Sequence, residues 1–261
     1  AESMATCTPI LVIAASLTVG TLAVATDTQR ALAFLQQNRH PADASVACER
    51  HVELALEARS AKSWAAAVPW SVFCEAVLPP GCLDEPRDDW RATLRPYCAK
   101  LVSETRNTAE AALVLNEAVW ELLGVHYEPG KTPKYLAPLT VMEHGAASCS
   151  GLSLFLVACC RSVGVPARVA GVGDWGDGSG NHVWVEIWSA DGWHALGACE
   201  PTALDDTWFM SKLRGPAAPR VYASSQCTAD DAACTFPVPW APGRRLPAED
   251  VTGRYRGPQD S

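Results

Sequence analysis

Cys149, His182 and Glu200 are a thiol, an imidazole and a carboxylate whose types and order along the chain could together do nucleophilic chemistry. A histidine can take the proton from a thiol and later hand it to a leaving amine, while a carboxylate fixes the imidazole tautomer and stabilises its protonated form. The thiol stands where a small polar run gives way to an apolar one. Ser148 is a good N-cap residue, and Leu152, Phe155, Leu156, Cys159 and Val163 follow at helical spacing, so Cys149 falls in or beside the first helical turn. Unpaired backbone N–H groups and the positive end of the helix dipole favour thiolate there.

The other two groups fall on a pair of extended runs. Residues 180–188 alternate as a strand does, and 193–199 form a second run after Ser189, Ala190, Asp191 and Gly192, so the pair reads as a hairpin. A three-residue loop, 190–192, pairs Ser189 with Trp193 and sets His182 opposite Glu200. A loop one residue shorter sets Cys199 there, because a slip of one reverses the faces. We take the longer loop. His144 competes with His182 for the role of base, but it lies on a loop five residues before the thiol, without an acid expected across from it. The glycine-rich run 174–180 precedes His182 as a rim, and Trp175 and Trp184 are candidate aromatic walls for a substrate; core packing accounts for Trp184 equally well.

These runs occur in an order and spacing that resemble the core of the transglutaminase-like superfamily: Cys149 to Ser153, then Gly164-Val165-Pro166-Ala167-Arg168, then His182-Val183-Trp184-Val185-Glu186, then Glu200 to Thr202. The resemblance implies an α+β fold, a papain/transglutaminase-like core with a helical N-terminal part and the cysteine helix packed on an antiparallel sheet. It implies Cys149 as nucleophile, His182 as base and Glu200 as orienting acid, in a position where the family usually has Asp. The expected activity is acyl transfer on peptide or amide bonds through a thioester, as hydrolase or transamidase, on a peptide or protein substrate and without a cofactor or metal. The alternative is a non-catalytic module that keeps the fold and binds a peptide or glycan. Weaker likenesses at residues 69–79, Trp90-Arg91 and 251–255 are to flanks of secreted members.

Composition narrows the classes further. With 261 residues, 48% hydrophobic content and a formal charge of -8, the chain can bury a sizeable core and has no basic stripe for nucleic acid. Eleven cysteines suggest an oxidising compartment, with Cys227–Cys234, Cys74–Cys82 and Cys48–Cys98 as candidate pairs and Cys159 and Cys160 as buried helix residues. No CxxC pair points to a structural zinc site. The apolar run 9–25, ending at Ala23-Val24-Ala25, has the layout of a signal peptide, so residues 1–25 read as a leader and the protein as secreted or extracytoplasmic. A membrane anchor and a core helix are the second and third readings of that run.

The remainder organises around the site. Helices are expected at 28–38, 42–66, 88–103 (with Pro96 kinking or interrupting it) and from Asn107, a capping-box start with Glu110, to Gly124. Asn116 within the last could point into a site as a hydrogen-bond donor, but a lone helical Asn is more often a surface residue, and it is read so. Residues 69–82 read as an apolar connector, 127–138 as a loop, 166–172 as a strand with Arg168 paired to a carboxylate or holding a loop, and 205–212 as a short helix. The domain thus spans 26–213. Residues 214–261 read as a proline-rich tail packed on the core, with an edge strand near Val221.

Overall fold

The computed structural model describes residues 27–38, 48–132, 134–200, 202–215, 217–227 and 233–256. The apolar run 9–25 lies outside them, and no described helix is long and apolar enough to cross a membrane. The fold is α+β. A helical half leads through α1 (27–37), α2 (Cys48–Ala61), α3 (Ser63–Ala66), α4 (Trp70–Ala76), α5 (Trp90–Leu101) and α6 (Thr108–Leu123). Strand β1 (His126–Tyr127), α7 (Pro138–His144) and β2 (Ala146–Ala147) follow, and β1 pairs in parallel with β2 just before α8 (Cys149–Ser162). Then come β3 (Ala167–Val172), β4 (His182–Ser189), β5 (Gly192–Leu196), a 3-10 turn (Trp208–Leu213), β6 (Tyr222–Ser224), β7 (Cys234–Thr235), β8 (Pro247–Asp250) and α9 (Thr252–Arg256).

Helix α8 is the centre of the molecule. Every residue from Ser150 to Ser162 is buried, as suits a helix apolar nearly all round, and it packs between α5, α6 and α7 on one side and β3 and β4 on the other. The sheet is antiparallel with strand order β5-β4-β3-β6-β8-β7. Strand alternation gives β4 two distinct faces. Val183, Val185 and Ile187 join the core around Leu152, Phe155 and Leu156 of α8, whereas Trp184 joins a second core with Trp175, Phe209, Val221 and Tyr255.

Local signals formed as read. Asn107 caps α6 by accepting from the Glu110 backbone N–H at 2.7 Å, and Gly124 ends it at φ +65°. Four expectations change. The helix expected over 42–66 breaks at extended Lys62, the connector 69–82 contains α4, and α5 runs through Pro96. The fourth change is topological: β6 lies inside the sheet between β3 and β8, not at its edge, so residues after 213 supply three of its six strands. The described cysteines, among them Cys74, Cys82, Cys98, Cys227 and Cys234, are free thiols, and neither the Cys74–Cys82 nor the Cys227–Cys234 bridge forms. Cys159 and Cys160 are buried within α8, where loss of solvation pushes both thiols up.

Candidate active site

Cys149 is the first residue of α8, and Ser148 before it has the extended backbone of an N-cap. The Ser148 hydroxyl makes no cap, however; it pairs with the Thr132 hydroxyl from the preceding loop. The first-turn N–H groups of α8 are therefore left open beside the thiol. Gly151, two residues on, lies where that loop presses against the helix: a Cβ there would sit 2.3 Å from the Tyr135 carbonyl oxygen and 2.7 Å from the Ala147 Cβ. One turn after Cys149, on the same helix face, Ser153 donates to the Val183 carbonyl at 3.1 Å. That bond fixes the thiol end of α8 against the start of β4, next to His182.

The hairpin register differs from the expected one. Ser189 pairs with Gly192 and Trp188 with Trp193, so the loop is the shorter kind, and the ladder carried past Leu196 would set Cys199 against His182. Glu200 reaches the site by another route. Past β5 the chain folds into a turn, with Glu200 N–H donating to the Gly197 carbonyl at 3.2 Å and Cys199 in the left-handed region at φ +63°. That turn brings the Glu200 side chain back towards the start of β4.

Cys149, His182 and Glu200 line one cavity of about 530 Å³, together with Tyr127, Ser153, Trp175, Ser179, Asn181, Val183, Cys199, Trp208 and Lys212. His182 and Val183 point to opposite faces of β4, so the cavity opens at the strand's beginning and reaches both. Trp175 lines the cavity, 6.4 Å from the His182 ring and 6.0 Å from Trp208. Trp184 does not line the cavity. Fully buried, it packs at a tilt against Phe209, 4.5 Å between ring centres, and donates from Nε1 to the Tyr255 hydroxyl at 2.8 Å, so its wall role is corrected to that of a core residue beside His182. His144 stacks on Tyr135 and does not line the cavity; His194 pairs with Asp205 and Asp191 elsewhere. The glycine-rich rim is tied down by Lys212, which donates to Asp177 at 2.9 Å and Ser179 at 3.0 Å.

The electrostatics follow from burial. Removal from water, with the nearby Lys212 ammonium adding to it, pushes His182 down to about 4, so its imidazole is neutral at neutral pH. Burial raises the Glu200 carboxyl, partly offset by the Trp208 indole N–H that donates to Oε1 at 2.9 Å. Among the described residues no hydrogen bond joins Cys149 to His182 or His182 to Glu200. The Nε2 of His182 and the Oε2 of Glu200 are both buried and both without a partner. A buried polar atom left unpaired costs about 1–3 kcal/mol, and here two such atoms belong to residues that line the same cavity.

Sequence reasoning missed Tyr127, Trp208 and Lys212, and it weighed Asn116 as a donor into a site but placed it on the surface, whereas it is buried. Tyr127 and Trp208 flank the cavity while remaining 56% and 52% exposed, which alternation and helical spacing cannot foresee. Asn116 carried a usable signal: it sits between Ala112 and Val119–Trp120 at helical spacing, on the buried side of α6.

Comparison with known proteins gives one family match and several distant structural likenesses. Residues 95–198 match the model of the transglutaminase-like superfamily, a span that holds Cys149 and His182 and stops two residues short of Glu200. No curated protein matches the chain. Among solved structures, a protein assigned provisionally as a cysteine protease from Cytophaga hutchinsonii is 17% identical with a TM-score of 0.38, over 55% of this chain and 45% of that one. A provisionally assigned protease from Parabacteroides distasonis is 12% identical with a TM-score of 0.37, over 56% and 34%. A TGase is 15% identical with a TM-score of 0.32, over 42% and 30%, so this chain spans less than half the length of each. The family match covers residues 95–198, less than half of the chain, and makes that segment similar to the transglutaminase-like superfamily.

Proposed function

We propose that the protein is a thiol-dependent acyl-transfer enzyme acting on peptide or amide bonds of a peptide or protein substrate outside the cytoplasm. The observation that carries this reading is that Cys149, His182 and Glu200 line one cavity, with His182 Nε2 and Glu200 Oε2 both buried and without a hydrogen-bond partner. In the reaction His182, neutral at rest, takes the proton of the Cys149 thiol, and the thiolate adds to the substrate carbonyl carbon. The oxyanion that forms is held by the open N–H groups of the first turn of α8. Collapse breaks the carbon–nitrogen bond as the imidazolium gives its proton to the leaving amine, and a thioester on Cys149 remains. Water, deprotonated by His182, then adds to the thioester and releases an acid and the free thiol; an amine in place of water yields a new amide. Glu200 turns its free oxygen to the imidazole and stabilises the charged form, which offsets the burial that otherwise holds His182 down.

Hydrolysis is the favoured outcome, since it needs no second substrate site. The test is incubation with a glutaminyl-peptide and amine library, read by mass spectrometry. Amide loss or amine incorporation is expected, and both should vanish in Cys149→Ala. Products that persist in that variant, or none with the unsubstituted chain, contradict the proposal; tight peptide or glycan binding without turnover marks a binding module instead.

A further inference from the structure

Asn116 is an odd residue to find in the buried stripe of a helix. It is a weak helix former because its side chain competes for backbone groups, and a carboxamide at 2% exposure is costly unless every polar atom is met. Here every one is. Nδ2 donates to the Gly197 carbonyl at 2.9 Å and to the Glu200 carbonyl at 2.8 Å, while Oδ1 accepts from the Cys199 N–H at 3.1 Å and from the Trp120 indole at 3.3 Å. Two donors and two lone pairs are the full capacity of an asparagine.

Three of those four bonds go to a single turn, 197–200, which lies more than eighty residues away in sequence. That turn contains Cys199 at φ +63°, a conformation that disfavours any residue with a Cβ other than Asn or Asp. Among the described residues, the Glu200 N–H to Gly197 bond is the backbone closure within it, and the carboxamide adds three bonds to that one. Gly197 is part of the same device: a Cβ there would stand 2.2 Å from the Glu200 Oε2. The direction in which Glu200 leaves the turn is thereby set from α6, across the molecule.

We infer that Asn116 is the positioning residue of the site, holding the 197–200 turn so that the Glu200 carboxylate is presented to His182. This rests on the thiol reading above and adds a residue that touches neither substrate nor sulfur. Asn116→Asp is nearly isosteric, keeps the acceptor for Cys199, and sets an oxygen against two carbonyls where a donor stood. It should loosen the turn and move Glu200.

The experiment is the rate of iodoacetamide alkylation of Cys149, followed peptide by peptide across pH 5–9. The unsubstituted chain should react well below the free-thiol pKa of about 8.5. N116D should slow the low-pH reaction on the order of tenfold or more, towards the profile of Glu200→Gln, and the double variant should be no slower than E200Q alone. Should N116D fail to fold, Asn116→Ser, whose hydroxyl is too short to span both carbonyls, is read in the same way. An unchanged profile in the folded variant, or an effect undiminished in the E200Q background, overturns the inference while leaving the thiol reading intact. Ordinary thiol behaviour in the unsubstituted chain overturns both.

Discussion

His182 carries two consequences at the scale of a single residue, one for chemistry and one for stability. Held down to about 4 by burial and Lys212, it is buried neutral in the folded chain and titrates near 6.5 once unfolded. Between those values the unfolded chain binds the extra proton, so stability falls as pH drops from about 6.5 towards 4, and the contribution is complete above that window. The full difference is about 3 kcal/mol. His51, buried and hydrogen-bonded to the Leu78 carbonyl at 2.7 Å, is also pushed down and adds in the same direction. Urea melts at pH 7 and pH 4.5 should show the acid loss, and His182→Gln should reduce it by about half or more; an equal loss in the variant contradicts the assignment. Trp208 has a separate role, since its indole occupies one oxygen of Glu200 and leaves the other without a partner. Trp208→Phe removes that hold and should lower turnover several-fold with little effect on melting temperature, as kinetics and calorimetry would show.

Among the elements, α8 and β4 matter most, because the site exists only where their first residues meet. Gly151 permits the loop carbonyl of Tyr135 to rest on the first turn of α8, and Gly171 lets β3 pass β4, where a Cβ would lie 2.7 Å from the His182 carbonyl oxygen. Gly151→Ala must displace the loop or the helix end, both of them backbone. We expect about 1–3 kcal/mol of destabilisation and a changed Cys149 alkylation rate; a variant with unchanged melting and alkylation contradicts the close approach. What the sequence revealed here was local. The capping of α6 by Asn107, the glycine that ends it, and the helix opening at Cys149 depend on neighbours a few residues apart, and all three formed. The hairpin register turned on whether Gly192 lies in the loop or on the strand, a difference of one residue that alternation cannot decide. The 197–200 turn was illegible for another reason: it is held by Asn116, distant in sequence, and left-handed Cys199 gives no compositional hint of it.

At the scale of the whole molecule, the sheet joins the two halves of the chain and backs the site on the face away from α8. Glu186, on the same face of β4 as His182, is buried and accepts from Arg168 at 2.8 Å, Arg254 at 3.1 Å and the Tyr255 hydroxyl at 2.8 Å. Tyr255 in turn accepts a hydrogen bond from the indole N–H of Trp184, the residue beside His182, so α9 reaches the strand that carries His182 through two hydrogen bonds. The sequence showed that Arg168 would meet a carboxylate; that residues after 213 would build half of the sheet was hidden by their prolines, which sit at strand starts and between strands. Glu186→Gln removes the buried carboxylate shared by Arg168 and Arg254 and leaves both to the half-exposed Glu249, at 2.9 and 3.3 Å, so it should cost about 3 kcal/mol, read as a lowered urea midpoint. A midpoint within error of the unsubstituted chain contradicts this account of the network.

The central claim is that the sulfur of Cys149 and the imidazole of His182 act as a pair. The most direct measurement compares the pH profile of Cys149 alkylation in the unsubstituted chain and in His182→Ala, with the labelled peptide identified by mass. A paired thiol reacts rapidly well below the free-thiol value of about 8.5, and loses that advantage when the imidazole is removed. Profiles that coincide, with the thiol silent until near pH 8.5 in both, would contradict the pairing.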